Sequence, residues 1–164
     1  MTQKEILLEQ MFACRNQKNW FAPLSDAIAG LTAEQASWHD ESTNHSVWQI
    51  VNHLIFWNER WLTRFKGIIP PKLEGDTATT FSAEDKGDEM WKLSVNKLDE
   101  VLSEWEKELK NAEEAKLQNE ALKDFGDSWY AVLSQITIHN AYHIGQIVTL
   151  RKQHGTWDLE KGVK

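Results

Sequence analysis

IHNAYHIGQIVTLR, from Ile138 to Arg151, is the stretch that decides how this chain reads. Its two histidines, His139 and His143, stand four apart, and residues at that spacing share one face of a helix. Both fall on a stripe, Val132, Ile136, His139, His143, Ile147 and Leu150, that is otherwise apolar at helical spacing. Two imidazoles turned into a bundle interior are costly to desolvate unless something satisfies them. A divalent metal ion would do so, because histidines at i and i+4 present two nitrogens to one ion. One helix rarely completes such a site, so a third ligand is expected from another helix.

The helix carrying this stretch is expected to open at Asp127 or Ser128 and to run to Gln153 or His154. His154, in the last turn before Gly155, favours the helix dipole and is read as structural. The clearest other helix opens at Ser46, which forms a capping box with Gln49. Val47, Ile50, Val51, Leu54, Trp57, Trp61, Leu62 and Phe65 make its apolar face, and Gly67, Pro70 and Pro71 end it. His53 sits at the edge of that face between Ile50 and Trp57. Beside His139 and His143 it is the natural third ligand. Asn52 and Asn58 are assigned to the outer face.

Two more helices follow from the same periodicity. Thr2 with Glu5 forms a capping box that opens the first, with Ile6, Leu7, Met11, Cys14, Phe21 and Leu24 on its face. Pro23 should kink or restart it, and Gly30 should end it. Another runs from Asp88 to about Lys110, buried through Met90, Trp91, Val95, Leu98, Val101 or Leu102, Trp105 and Leu109. Its charged residues, Glu104 and Glu106 among them, are assigned to a solvated surface. Between the helices lie connections. Residues 31–45 hold a short turn capped by Thr32 with Gln35, and two loop histidines, His39 and His45. Residues 67–87 form a long connection, either a lid over a pocket or a plain crossover. Residues 111–126 are polar. Without strand alternation or repeats, the fold class is all-α, with four main helices.

Composition sets the outer bounds. A chain of 164 residues fits one domain, 1–164, with a real core. A net charge of -7 and a pI near 5.4 argue against a nucleic-acid partner, which would call for a basic face. No run reaches the roughly 18 apolar residues of a membrane span, and the charged N-terminus is no signal peptide. The single cysteine, Cys14, forbids an internal disulfide, suits the reducing cytoplasm and reads as a small buried hydrophobe.

SVWQIVNHLIFW around His53 and HNAYHIGQIVTLRK around His139 and His143 resemble the DinB family, the DinB/YfiT-like bundles. The order matches as well: one histidine in the second helix, then His-x-x-x-His-x-Gly-Gln in the last. The resemblance implies a four-helix bundle of up-down-down-up topology with a long crossover between its second and third helices, and a homodimer. It also implies a divalent metal, nickel or zinc, on three histidines, which carry over onto His53, His139 and His143. Some members are transferases or isomerases that use a low-molecular-weight thiol.

Three imidazoles leave a metal an open position, the arrangement of catalytic zinc. The function expected is therefore S-transfer, in which a low-molecular-weight thiol, held as thiolate, attacks a small electrophile. Trp57, Trp48 or Trp129 would wall the pocket, Gln146 would hydrogen-bond near the site, and Gly145 would allow close helix packing. Two alternatives stand beside it. Metal-dependent hydrolysis would need a general base, and no carboxylate lies at helical spacing from the three histidines; Asp40, Glu41 or Asp85 would have to supply one from a loop. A non-catalytic, stress-related bundle would keep the metal as a structural staple or have lost it.

Overall fold

The computed structural model describes residues 1–39, 42, 45–82, 87–123 and 125–161. Among them there are seven α-helices and no strand. The four long ones are α1 (Gln3–Arg15), α4 (Val47–Phe65), α5 (Asp88–Asn111) and α7 (Trp129–His154). Three single-turn helices, α2 (Leu24–Ile28), α3 (Ala33–Ser37) and α6 (Glu114–Gln118), lie in the connections. α1 packs on α5 and α7, and α4 packs on the same two, so the long helices close into a ring.

Local chemistry places the helix starts. At Thr2, Thr32 and Ser46 the hydroxyl accepts from the backbone N–H three residues on, and the Glu or Gln there accepts from the cap's own N–H. Each exchange satisfies two donors that the first turn leaves open. Ser128 caps α7 through the N–H of Ala131, and Gly155 ends it at φ 73°, a left-handed conformation that suits glycine.

The first helix is shorter than its apolar pattern suggested. α1 stops at Arg15, and Pro23 acts as the N-cap from which α2 restarts, so Phe21 and Leu24 do not continue the α1 face. Proline tolerates this position because it has no N–H to satisfy there. Arg151 then ties α2 to α7. It is buried, and its guanidinium donates to the carbonyls of Ala27 at 2.8 Å and Ala29 at 3.1 Å. The polar connection 111–126 contains α6, anchored by the fully buried Leu117.

The core falls into two apolar clusters. One gathers Val47, Ile50, Val51, Leu54, Trp91, Leu98, Ile144 and Ile147 with α2 and α3. The other gathers Leu7, Met11, Leu62, Phe65, Trp105, Leu109, Trp129 and Leu133. Between them α4 and α7 carry polar side chains inward. Asn58, assigned to the outer face by its neighbours in sequence, is 1% exposed. Its amide donates to Asn140 Oδ1 at 2.8 Å, and Asn140 donates back to Asn58 Oδ1 at 3.1 Å. Glu106 likewise leaves the solvated side of α5: it is buried, and its Oε2 accepts from Arg15 of α1 at 3.0 Å.

Candidate metal centre

The polar layer contains all three histidines singled out by spacing. His53 and His143 are buried and His139 is half-buried. Their ligating nitrogens lie within 4.8 Å of one another. His139 Nε2 stands 3.1 Å from His53 Nε2 and 3.1 Å from His143 Nε2. The i, i+4 pair is thus met by the α4 histidine across the α4–α7 seam.

The outer nitrogens fix which lone pairs face inward. His53 Nδ1 lies 2.6 Å from Thr80 Oγ1, and that hydroxyl already donates its proton to Thr77 O at 2.7 Å. A hydroxyl has one proton to give, so His53 Nδ1 is the donor and His53 Nε2 is bare. His143 Nδ1 lies 2.6 Å from Gln146 Oε1, while Gln146 Nε2 donates to the Tyr142 hydroxyl at 3.1 Å. An amide oxygen only accepts, so His143 Nε2 is bare as well. Gln146 therefore fills the role expected of it near the site.

His139 Nε2 carries at most one proton, and it faces two bare nitrogens. At least one of the 3.1 Å contacts then has no hydrogen in it. Extra protons do not resolve the conflict at neutral pH. Burial, with the neighbouring His143 and His139, holds His53 down to about 3. Burial, with His143, holds His139 down to about 4. Burial also lowers His143, against the opposing pull of Gln146. Three neutral imidazoles converging on one point fit a divalent cation. Two nitrogens on one tetrahedral ion, with bonds of about 2.1 Å, lie roughly 3.4 Å apart, close to the separations seen.

The supports come from a segment without periodicity. Residues 67–87 contain a 3-10 turn, Thr77–Thr80, capped by Asp76 Oδ1 on the Ala78 N–H at 3.0 Å. This turn delivers Thr80 to His53. The next residue, Phe81, stacks on the His53 ring with centroids 3.8 Å apart and planes 11° apart. His45 stacks on the other face of Phe81 at 3.8 Å, so it is not the solvated loop histidine expected. Asn52 Nδ2 holds the segment further along, donating to Ser82 O at 2.6 Å. His39 remains exposed, and His154 stacks on Trp38 at 4.6 Å.

Two hollows flank the centre. One, of about 190 Å3, has Trp57, Trp61, Val132 and Ile136 for walls and includes His139. Of the tryptophans expected to wall a pocket, Trp57 does so, whereas Trp48 and Trp129 are core residues, 3% and 5% exposed. Trp61, read as a face residue only, joins Trp57. The other hollow, of about 720 Å3, is lined by His45, Phe81, Tyr142 and Gln146. Gly145 lines it too. A Cβ there would meet nothing within 4 Å, so Gly145 does not serve close helix packing.

The DinB superfamily model matches residues 19–147. The chain belongs to the DinB superfamily. The match spans all of α4 with His53 and reaches past His143 in α7, so it contains the whole three-histidine group. No curated protein and no solved structure was matched. A DinB-superfamily bundle with three converging histidines is compatible with a bound divalent metal.

No carboxylate accompanies the three histidines among the described residues that meet metal-ligand spacing. Asp40, Glu41 and Asp85, the loop residues that hydrolysis would draw on, lie outside the described residues. Cys14 is buried and far from a nucleophile's chemistry, since burial pushes its thiol up to about 12. No helix among the described residues is long and apolar enough to cross a membrane.

Proposed function

We propose that this DinB-superfamily protein is a metal-dependent thiol S-transferase acting on a small electrophile, with nickel or zinc held by His53, His139 and His143. The observation that carries it is the pair of outward hydrogen bonds, His53 Nδ1 to Thr80 and His143 Nδ1 to Gln146, which turn bare Nε2 atoms onto one point. When bound there, a divalent cation supplies the charge that keeps a thiol deprotonated at neutral pH.

The rest falls to the chain's own groups. Thr80 and Gln146 hold the two imidazoles in one tautomer and orientation, as outer partners of metal-ligating histidines do. Phe81 and Trp57 shield His53 from water. The larger hollow, with Tyr142, Thr149 and Gln153 on its wall, offers hydroxyl and amide groups to the polar body of a thiol. The smaller one, with His139 in its lining, is read as the seat of the electrophile. In the reaction the thiol gives its proton to solvent. Its sulfur then forms a bond to the electrophilic carbon as the carbon–leaving-group bond breaks, and the leaving group departs with that electron pair.

The bundle is assigned the order up-down-down-up with a crossover between α4 and α5. Lys4 Nζ reaches Lys110 O at 2.7 Å while Arg15 Nε reaches Asp99 Oδ1 at 2.8 Å, which supports opposed directions for α1 and α5. Trp48 Nε1 bonds Ser94 Oγ at 3.0 Å while Trp105 Nε1 bonds Asn58 O at 3.0 Å, which supports a shared direction for α4 and α5. A homodimer and a cytoplasmic site of action complete the proposal. The dimer is supported by Ile6, Trp20 and Ile138, exposed by 44%, 89% and 65% around one hollow between α1 and α7.

Elemental analysis of tag-free protein, wild type beside His143→Ala, tests the site. We expect about one equivalent of nickel or zinc in the wild type and its loss in the variant. Pairs of low-molecular-weight thiols and electrophiles, assayed with and without a chelator, then test the transfer. Absence of metal from both proteins after reconstitution would sink the proposal. Metal without any thiol-dependent turnover, joined to a sharp fall in Tm on chelation, would make it a structural staple instead.

A further inference from the structure

The hollow beside His139 has a composition and size that select a ligand. Its walls are the indoles of Trp57 and Trp61 and the side chains of Val132 and Ile136. Trp57 also lies 6.4 Å, ring to ring, from His53, so one wall of the hollow borders a second histidine of the group besides His139. His139, the third lining group that matters, is the histidine whose Nε2 touches both others. A molecule seated here therefore ends within a few ångströms of the metal locus.

The lining contains no Asp, Glu, Lys or Arg, and its one histidine, His139, is held down to about 4 by burial and His143 and so is neutral at neutral pH. The polar ones are largely spent on the protein. Asn58 gives its two amide hydrogens to Leu54 O and Asn140 Oδ1 and accepts from Asn140 in return. Gln135 reaches toward Asp127 Oδ2 at 3.4 Å. In the metal-free protein a charged ligand would lose its water against indole and aliphatic walls and find no charged lining side chain to compensate. A flat, uncharged ring would gain stacking and edge contacts with the two indoles. The volume, about 190 Å3, sets the scale. An apolar cavity of about 150 Å3 takes up benzene, so a single ring with a one- or two-atom substituent fills this one.

We infer that the hollow between Trp57 and Trp61 is the seat of the electrophile, and that it selects an uncharged, single-ring aromatic group whose substituent carbon lies against His139. The name electrophile rests on the S-transferase proposed above. The binding preference does not, and it is measurable on the metal-free protein with unreactive probes.

The test is a titration of chelator-treated protein with benzyl alcohol, followed through the indole N–H cross-peaks of a 15N-labelled sample. Trp57→Phe and Trp61→Phe assign the two peaks. Benzyl alcohol should move both at millimolar concentration or below, and benzoate and benzylamine should bind about tenfold more weakly or worse. Val132→Phe, which fills the hollow from α7, should weaken benzyl alcohol by a similar factor. Gln135→Trp blocks the hollow from an exposed position and serves if Val132→Phe fails to fold. Movement of neither indole peak by benzyl alcohol would overturn the inference. So would equal or tighter binding of benzoate or benzylamine, or unchanged binding in a folded blocked variant. A protein that binds benzyl alcohol as expected but takes up no metal would keep the pocket and lose the transferase. A protein that takes up metal and turns over thiols without binding benzyl alcohol would do the reverse.

Discussion

Thr80 Oγ1 lies 2.6 Å from His53 Nδ1 and gives its only proton to Thr77 O, 2.7 Å away. The hydroxyl can therefore only accept from the imidazole. That fixes the ring as the Nδ1–H tautomer and leaves Nε2 bare toward His139 and His143. A segment between helices thus sets the protonation of a histidine on a helix.

Thr80→Val keeps the shape and removes the acceptor. Loss of such an outer partner typically costs about 10–100-fold in metal affinity, so we expect that range for nickel or zinc, read by competition with a chromophoric chelator. Thr80→Ser restores the oxygen and should recover most of it. Equal affinity in Thr80→Val and wild type would show that the hydroxyl does not orient His53.

Asn58 and Asn140 pair amide to amide, both buried, between the two apolar clusters. Replacing one removes the other's amide-to-amide partner at a buried position. Asn58→Leu or Asn140→Leu alone should cost about 2–3 kcal/mol, measured by urea denaturation. The double Leu variant should cost clearly less than the sum, because no orphaned amide remains. Additive losses would mean that the two amides do not act as a pair.

Much of this was legible in the chain. Capping boxes are local, so Thr2, Thr32 and Ser46 announced their helices. His139 and His143 announced themselves by falling on an apolar stripe, and His53 by lying at the edge of another. What was hidden depends on contacts across the fold. Asn58 reads as outer-face because its helix position is polar, and only its pairing with Asn140 makes an inward amide tolerable. Glu106 reads as one more charge on a charged helix, and Arg15, on α1, draws it inward. Thr80 and Phe81 sit in a segment with no period to read; the faint signal was Asp76 followed by a threonine run, an Asx-type cap for a single turn.

Glu106 gives the chain a predictable pH response. Burial raises its carboxyl above the ordinary value, and this outweighs the lowering by Arg15. Its second oxygen, Oε1, is buried and has no hydrogen-bond partner among the described residues. The folded state therefore holds this proton more tightly than the unfolded chain does. The stability it contributes is full below the ordinary carboxylate value, about 4.3, and is lost as pH rises through the raised folded value. Urea midpoints taken upward from about pH 4 should show this decline in the wild type, and Glu106→Gln should flatten it. The same slope in both proteins would assign the response to another group.

Trp20, Ile6 and Ile138 test the proposed homodimer. They come from the segment after α1, from α1 and from α7, and line one hollow of about 430 Å3 while staying exposed. Large apolar side chains grouped this way on a surface mark a face that another molecule covers. A charge placed there must be desolvated if two copies meet across it, at a cost of several kcal/mol. Sedimentation velocity of the wild type at micromolar concentration should therefore give twice the chain mass. Trp20→Glu and Ile138→Glu should each shift it toward the monomer, with helical circular dichroism and metal content retained. A wild type that sediments as a monomer at every concentration would remove the dimer from the proposal. A dimer that survives both substitutions would move its interface to another face of the bundle.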